Sequence, residues 1–543
     1  MNWREERRFA SPFAPRRCGA SRPRSHRRLC TIGAKDDLSR RRPRQDLGHE
    51  GIGAACDVSR RRSLHVVKNV LPADWRVAFD SGVRRIDGGA VLIGGAPLRI
   101  RRLTDAGQRL VDRLEAGEPV PQSDGAQRLV RRLLDAGMAH PRPGATELRE
   151  STDVTIVIPT RDTNVAATTD AKHLIIVDDG STPPIAHPTA TVLRHDRTNG
   201  PAAARNTGWR AATTDLVAFL DADCRPAADW LDRLLPHFGD PKVAAVAPRI
   251  LTRTAPTLPT PLARYEEARP TLDRGEREAI VRPRSPVPFV PTAALVVRTA
   301  ALEELNGFDE TFRFGEDVDL VWRLSAAGHT VRYDPTVTVT HPSRTTATAW
   351  LRQRFDYGTS AAPLARKHGA AVAPLTMSPW SLLSWTLEGL GFPLTGAAVG
   401  AATTAMLAPR LKGLRDPWGE ARTLAGAGHL HAGVAVADAV RRAWWPLAAT
   451  AAAVSTRARR GVLAAAVIPP LLEWRRQRPA LDPAQWVTLR LLDDLTYGAG
   501  VWAGCLRERS FAALRPDLVD WPGTRAAIES TSEIEQRSPS RRK

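Results

Sequence analysis

The chain has 543 residues, of which 43% are hydrophobic and 25% charged, with a formal net charge of +20 at pH 7. This length is enough for two to four domains with sizeable cores. The charge suggests a nucleic-acid partner, but half of it lies in residues 1–62, where 17 Lys and Arg stand against 7 Asp and Glu.

Residues 1–62 show no helical or strand period and contain arginine clusters such as Arg40–Arg42. We expect a disordered basic tail, or sequence upstream of the true start. The segment has no apolar run typical of a secretory signal. The five cysteines are scattered and odd in number, which favours a reducing cytosol over a disulfide framework. We expect no nucleic-acid partner.

Residues 71–143 predict a small winged-helix-like module. Alternation at Trp75–Phe79 and a turn at Gly88-Gly89 indicate hairpin strands. Thr104–Leu114 and Ala126–Ala136 predict two amphipathic helices. Such modules bind DNA, or bind peptides by strand addition, and a packing role alone is the alternative. The order of elements resembles PqqD-like peptide-recognition modules, which implies a peptide or protein partner.

Polar residues follow three apolar segments that predict strands of a parallel sheet. They are Pro159 and Arg161 after Val154–Ile158, Asp178 and Asp179 after Leu174–Val177, and Asp221 and Asp223 after Val217–Leu220. Ligands bind outside the carboxyl ends of such strands. Asp221 and Asp223 could share one Mg²⁺, which proteins hold with one or two carboxylates plus substrate phosphates. A turn with two solvated aspartates is the alternative.

Between these strands, Asn199–Gly208 predicts a helix that starts at Gly200-Pro201 and carries Arg205 one turn in. Helix N-termini attract anions, so this helix would face a charged ligand. The segment Asn164–His173 is short for a crossover between parallel strands, and we expect at most a minimal helix there.

Four motifs occur in the order found in family 2 glycosyltransferases: Ile156–Pro159, Val177–Ser181, Gly200–Asn206 and Asp221–Asp223. The chain resembles that family over Val154–His341. The resemblance implies an α/β, Rossmann-like GT-A domain at residues 152–345 that binds a nucleotide sugar. It implies that Pro159, Arg161, Asp178, Asp179 and Arg205 contact the nucleotide, with Asp179 on the uracil. It also implies that Asp221 and Asp223 hold Mg²⁺ or Mn²⁺ against the diphosphate.

Glu316 and Asp317 stand at the start of a predicted helix, where the helix dipole favours ionised carboxylates. In the family this pair supplies the general base, and the resemblance assigns Asp317, with Glu316 and Asp319 as alternatives. Helix capping alone is the competing interpretation. His341 follows Val331–Val339, which predicts a strand pair. The resemblance makes His341 a third metal or phosphate contact, and an ordinary loop histidine is the alternative.

Residues 346–521 are rich in alanine and predict helices, followed by a disordered tail at 522–543. Leu387–Leu407 is apolar after Glu388 and long enough to span a bilayer, although it is rich in Gly, Ala and Thr and contains Pro393. Trp residues beside arginines suit a membrane interface. A membrane-associated region and a buried soluble bundle both fit, so the expected location is the cytoplasmic membrane face or the cytoplasm. Gln353–Tyr357 departs from the Gln-x-x-Arg-Trp pattern of processive relatives.

The module, the transferase domain and the segment Leu492–Gly504 together resemble the mycofactocin-system branch of the family. That resemblance implies an inverting enzyme that moves glucose from UDP-glucose to a small peptide-derived redox cofactor precursor. A family 2 transferase of cell-wall or surface polysaccharide, using rhamnose or galactofuranose donors, is the alternative. A third hypothesis is a DNA- or peptide-binding protein with an inactive transferase domain.

Overall fold

The structure is a computed structural model that describes residues 70–144, 154–163, 165, 172–253, 260–344 and 346–519. The predicted tails at 1–62 and 522–543 lie outside the described residues, as does most of the Asn164–His173 segment. The domain boundaries drawn from the sequence remain predictions.

The first described region contains short strands and two helices. They are β1 (Arg76–Phe79), β2 (Arg84–Ile86), β3 (Val91–Gly94), β4 (Arg99–Arg102), α1 (Asp105–Glu115), α2 (Asp124–Asp135) and β5 (Ala139–Arg142). β2, β3 and β4 form an antiparallel sheet, and β1 pairs with β5. Both predicted helices are present, and the Thr104 hydroxyl caps α1 by accepting from Gly107 N at 3.2 Å. The winged-helix-like assignment stays a prediction.

This region is fixed to the rest of the chain on two sides. Arg131 forms a bidentate ion pair with the buried Asp240 at 2.7 and 3.0 Å. On the other side, Val91 and Ile93 pack in one apolar cluster with Leu407. A buried bidentate pair and a shared core hold the region in place.

The central sheet and its helices follow in the chain. They are β6 (Val154–Thr160), β7 (His173–Asp178), β8 (Thr191–Arg194), α3 (Pro201–Ala211), β9 (Leu216–Leu220), β10 (Arg225–Pro226), α4 (Trp230–Leu234), β11 (Val243–Arg253), α5 (Pro261–Ala268), β12 (Ala279–Val281), β13 (Ala294–Arg298), α6 (Thr299–Leu305), α7 (Glu316–Ala326) and β14 (Thr330–Pro342). The order is β10-β14-β11-β13-β9-β6-β7-β8, with β12 added to β14. β8, β7, β6 and β9 are parallel, whereas β13 is antiparallel to both β9 and β11.

The sheet is buried on both faces, which explains its continuous apolar strands. Because side chains alternate along a strand, Val157 joins one core and its neighbours Ile156 and Ile158 join the other. α3, α6 and α7 pack on the first core, and α4 packs on the second. Because β6 pairs in parallel with both β7 and β9, the carboxyl ends of these three strands meet at one edge of the sheet.

The strand pair predicted at Val331–Val339 is wrong, because β14 is one strand with a bulge. Its register against β11 jumps from Asp334 to Thr338 while β11 advances by one residue. Pro335 cannot donate a ladder hydrogen bond, and Thr336 N donates instead to the Asp334 carboxylate at 2.9 Å. This local turn interrupts the alternation of side chains along β14 without ending the strand.

Helices follow the sheet to the end of the described chain. They are α8 (Ala347–Thr359), α9 (Ala361–His368), α10 (Pro379–Gly389), α11 (Pro393–Leu407), α12 (Pro417–Arg441), α13 (Trp445–Val454), α14 (Thr456–Gln477) and α15 (Pro483–Arg507), with a small parallel pair of β15 (Thr376–Met377) and β16 (Asp517–Leu518). The apolar run Leu387–Leu407 is not one helix. It breaks at Gly391, whose φ is 88°, and Pro393 starts α11. In the described part of the chain, no helix is both long and apolar enough to cross a membrane.

Candidate active site

The polar residues predicted at three strand ends lie along one edge of the sheet. β6 pairs with β7 so that Thr160 stands opposite Asp178, and β6 also pairs with β9. Pro159 is half-buried in β6. Arg161 is exposed just beyond it, where Nη1 reaches the Thr198 hydroxyl at 3.5 Å. The nucleotide contacts assigned to Pro159 and Arg161 stay predictions.

Asp178 is fully buried and shapes the turn after β7. Its carboxylate accepts hydrogen bonds from Ser181 N at 2.8 Å and Ile185 N at 3.1 Å, and it pairs with Arg194. Burial acts to raise the pKa of Asp178, but these donors outweigh burial and the pKa is lowered. Asp178 is therefore an ionised support for this turn.

Asp179 fastens the loop that leads into α3. Its carboxylate accepts hydrogen bonds from Asn199 N at 2.8 Å, from Gly200 N at 2.9 Å and from the Thr198 hydroxyl at 2.7 Å. It also lies 2.7 Å from His195 Nδ1. Burial again opposes ionisation, and the hydrogen bonds again hold the pKa below its usual value. Asp179 thus positions the helix N-terminus, and a contact with the uracil base remains a prediction.

Arg205 links the two halves of the site. Gly200, with φ 95°, and Pro201 start α3 and set Arg205 one turn inside the helix. The buried guanidinium donates from Nη2 to Asp221 at 2.8 Å and from Nη1 to Glu316 at 2.9 Å. Burial acts to lower the pKa of Arg205, but the two carboxylates outweigh burial and the pKa is raised above its usual value. A permanent cation thus joins the end of β9 to the start of α7.

Asp223 and His341 are brought together by the strand pairing beside them. β10 pairs with β14 so that Arg225 stands opposite Thr340, the residue before His341. As a result, His341 Nε2 lies 3.5 Å from the Asp223 carboxylate. Asp221 lies two residues away at the end of β9. Two of the three predicted metal ligands, Asp223 and His341, are therefore in contact, and Asp221 lies two positions before Asp223 in the chain.

These side chains fit a divalent cation that takes its other ligands from a substrate. Within the described residues, no group of three His, Cys, Asp or Glu side chains is already gathered to hold a metal ion. Mg²⁺ needs few protein ligands, because one or two carboxylates plus phosphate oxygens suffice. Asp221 and Asp223 supply hard oxygen donors of the kind that suit Mg²⁺ and Mn²⁺, and His341 supplies an imidazole nitrogen. The donor set is compatible with either ion bound together with a diphosphate.

Asp317 carries a carboxyl group whose pKa is raised towards neutrality. It is half-buried at the start of α7, and one oxygen accepts from Val318 N at 2.8 Å. Burial, together with the charge of Glu316, raises the pKa of Asp317 to about 7. A base with a pKa near the working pH is the most effective in proton transfer.

The two alternatives to Asp317 are held by cations. Glu316 is paired with Arg205, as described above. Asp319 is fully buried and pairs with Arg323 at 2.7 Å and with His368 at 2.8 Å. Among the described residues, Asp317 is the member of the three that forms no ion pair. The geometry thus favours Asp317 over Glu316 and Asp319.

Two side chains that interact with Asp317, those of Arg274 and Tyr357, were not predicted to belong to the site. Arg274, in the loop after α5, lies with its guanidinium carbon 4.2 Å from the centre of the Phe289 ring. Burial lowers the pKa of Arg274, although the charge of Asp317 acts to raise it. Tyr357 lies in α8, where burial and the charge of Asp317 raise its pKa to about 12. No local pattern marks Arg274. Tyr357 lies within the Gln353–Tyr357 segment, which was considered only for processivity.

The sequence also matches known proteins. A family model described as "Glycosyl transferase family 2" matches residues 158–305. A relative described as "Pre-mycofactocin glycosyltransferase", from Mycobacterium tuberculosis strain H37Rv, is 41% identical over 472 residues, which cover 82% of this chain and 98% of the relative. "Glycosyltransferase AglE" of Haloferax volcanii is 28% identical over 181 residues, covering 32% of this chain and 57% of the relative.

A solved structure is also similar, at lower identity. It is described as the mannosyltransferase PcManGT from Pyrobaculum calidifontis in complex with GDP-Man and Mn²⁺. The identity is 19% and the TM-score 0.31, with 54% of this chain and 88% of the solved chain covered.

Proposed function

Because the chain belongs to glycosyl transferase family 2 and is a glycosyltransferase, we propose that it moves a hexose from a nucleotide sugar to a peptide-derived precursor of mycofactocin. The donor in this proposal is UDP-glucose, and the transfer inverts the anomeric configuration. Membership of this family identifies the domain that contains the mixed sheet as a GT-A domain. A binding protein with an inactive transferase domain is no longer needed as a hypothesis.

One observation carries the choice of acceptor. The 41% identical relative described as a pre-mycofactocin glycosyltransferase is matched over 98% of its length, and the match takes in 82% of this chain. It therefore extends well beyond the transferase domain into the regions on either side. A shared donor site alone would give a match confined to the transferase domain. The full-length similarity supports a shared acceptor.

The donor would lie along the edge formed by β6, β7 and β9. Asp179 holds the start of α3 by accepting from Gly200 N. In this proposal, the first-turn amides of α3 and Arg161 would bind the anionic nucleotide. Asp221 and Asp223, with His341, would hold Mg²⁺ or Mn²⁺ beside the diphosphate. A bound divalent cation would neutralise charge that develops on the leaving diphosphate.

The acceptor would approach from the side of Asp317. Its carboxylate would take the proton of the attacking hydroxyl, and Glu316 would remain paired with Arg205. Because Arg205 also holds Asp221, the donor side and the base keep a fixed relative position. Attack on the face opposite the leaving nucleotide, by one displacement, inverts the anomeric centre.

The test is a transfer assay with the purified full chain. UDP-glucose and the peptide-derived precursor are incubated with Mn²⁺, and the product is examined by mass spectrometry and NMR. We expect one or more added hexose units in β linkage. GDP-mannose and UDP-galactofuranose serve as donor controls. Turnover of UDP-galactofuranose on a polysaccharide acceptor, without transfer to the precursor, would favour the cell-wall alternative instead.

A further inference from the structure

Two C-terminal helices are apolar around their whole circumference but lie on the surface. Neither α11 nor α13 contains Asp, Glu, Lys or Arg. α13 has no buried residue, and in α11 only Gly396 and Leu407 are buried. A helix that is apolar on every side is normally covered by protein or lipid. These helices therefore expose an apolar surface that lacks a cover within the described chain.

The hairpins that carry these helices, α10–α11 and α13–α14, end side by side. The Arg457 guanidinium lies 5.4 Å from the centre of the Phe392 ring. The backbones are equally close, because a Cβ added to Gly461 would lie 2.7 Å from Gly389 O. We call the surface at this end the hairpin tips. It consists of Leu390, Phe392, Leu394, Val454, Arg457, Arg459 and Arg460.

The hairpin tips combine strong apolar exposure with positive charge. Leu394 is 87% exposed and Val454 is 82% exposed, the highest values among the large hydrophobic residues described. Arg457, Arg459 and Arg460 are exposed beside them. The one acidic residue adjoining the α10–α11 turn, Glu388, is half-buried. An occupant must therefore accept both apolar side chains and cations.

An anionic bilayer surface meets both demands, because acyl chains cover apolar groups while phosphates pair with arginine. Nucleic acid would satisfy the arginines but leave Leu394 and Val454 in water. A second copy of the chain, docked through the same hairpin tips by a two-fold axis, would bring the arginines of both copies into one interface where the tips offer no acidic partner. The combination thus favours lipid over either alternative.

We propose that the hairpin tips dock this enzyme on an anionic lipid surface. Leu394 and Val454 enter the acyl layer, and Arg457 and Arg460 bind headgroup phosphates. This goes beyond the proposed transfer reaction, and it depends on neither the donor nor the acceptor. A transferase held in this way would work on acceptors made or used at a membrane.

The test is co-sedimentation of the full chain with two kinds of vesicle, one of phosphatidylcholine alone and one that also contains phosphatidylglycerol. We expect the parent to bind mainly the anionic vesicles, with binding reduced by high salt. The double variant Leu394→Glu/Val454→Glu should lose at least about tenfold in vesicle affinity. Leu98→Glu is the matched control, since Leu98 is 42% exposed outside the hairpin tips.

A second variant, Arg457→Gln/Arg460→Gln, separates charge from apolar insertion and should remove the preference for anionic vesicles. UDP binding and the circular dichroism spectrum of each variant report that it is folded. Parent protein that stays in solution with both vesicles would overturn the proposal. So would unchanged binding by Leu394→Glu/Val454→Glu, or a dimer in light scattering that this variant turns into a monomer without any vesicle binding.

Discussion

Arg205 and Glu316 form a buried ion pair at 2.9 Å although 111 positions separate them in the chain. The same guanidinium holds Asp221 at 2.8 Å. Through these two contacts, Arg205 joins α3 to the end of β9 and to the start of α7. These are the three elements that would carry the diphosphate site and the base. A buried cation with two carboxylate partners makes their relative position difficult to change without a large loss of stability.

Replacing Arg205 tests this link. Arg205→Gln leaves Glu316 and Asp221 without their cation, so we expect a loss of about 3–5 kcal/mol in the free energy of unfolding. Urea denaturation measures the change. Arg210→Gln, on the exposed end of the same helix, is the control and should alter the free energy by no more than about 0.5 kcal/mol. Similar small effects for both variants would contradict the structural role of Arg205.

The pH dependence of turnover tests the state of Asp317. Its pKa of about 7 means that the carboxylate is protonated, and inactive as a base, below neutral pH. We therefore expect kcat/KM to rise with pH and to level off above about pH 7. Steady-state rates with saturating Mn²⁺ give the profile. A profile that is flat between about pH 5.5 and 8.5 would exclude a titrating base with this pKa.

The raised pKa of Asp317 also predicts an effect on stability. The folded protein keeps this proton up to about pH 7, whereas the unfolded chain loses it near the ordinary value of 3.8. The folded state therefore loses stability as pH rises between these values, and Asp317→Asn removes that loss. We expect this variant to melt at a higher temperature than the parent at pH 8, with the difference shrinking toward pH 4. An equal difference at both pH values would be inconsistent with this linkage.

The metal site predicts a defined defect in Asp223→Asn. Loss of an outer hydrogen bond to a metal ligand alone costs about 10–100-fold in metal affinity. Loss of a direct ligand should raise the Mn²⁺ concentration for half-maximal UDP binding by at least about tenfold. Calorimetric titration of UDP at several Mn²⁺ concentrations measures it. Asp229→Asn, at an exposed position after β10, should behave like the parent.

The contacts of Asn206 predict that a side chain added at Gly307 lowers the stability of the fold. The Asn206 side chain accepts from Phe308 N at 2.9 Å and donates to Phe308 O at 2.9 Å. Gly307 has φ 66°, and an added Cβ would lie 2.4 Å from Asn206 Oδ1. Gly307→Ala should therefore lower the free energy of unfolding by about 1–3 kcal/mol. Gly426→Ala, in the open surface of α12, should instead be neutral or stabilising by up to about 1 kcal/mol.

Much of the candidate site could be predicted because its signals are local. Buried strands that end in Asp178 or Asp221 appear as apolar runs followed by acids, and parallel pairing then brings the ends together. The bulge in β14 could not be predicted in this way, because the Thr336–Asp334 hydrogen bond replaces the ladder there. Pro393 was the signal that divides Leu387–Leu407, because proline begins a helix more readily than it continues one.

The contacts that decide roles within the site were not predictable. The pairing of Arg205 with Glu316 depends on two elements that meet only after the sheet has formed. The surroundings that raise the pKa of Asp317 come from the fold rather than from a motif. Arg274 reaches the same region from a loop whose sequence shows no periodic pattern.

Single-turnover transfer by Asp317→Asn shows whether Asp317 removes the proton of the acceptor hydroxyl. The variant keeps the shape of the side chain and all the residues of the donor edge. We predict that the single-turnover rate constant for transfer falls by about 10²–10⁴-fold while the Kd for UDP with Mn²⁺ stays within about threefold of the parent. Transfer at a rate close to the parent's, with UDP binding equally intact, would show that a group other than Asp317 removes the proton.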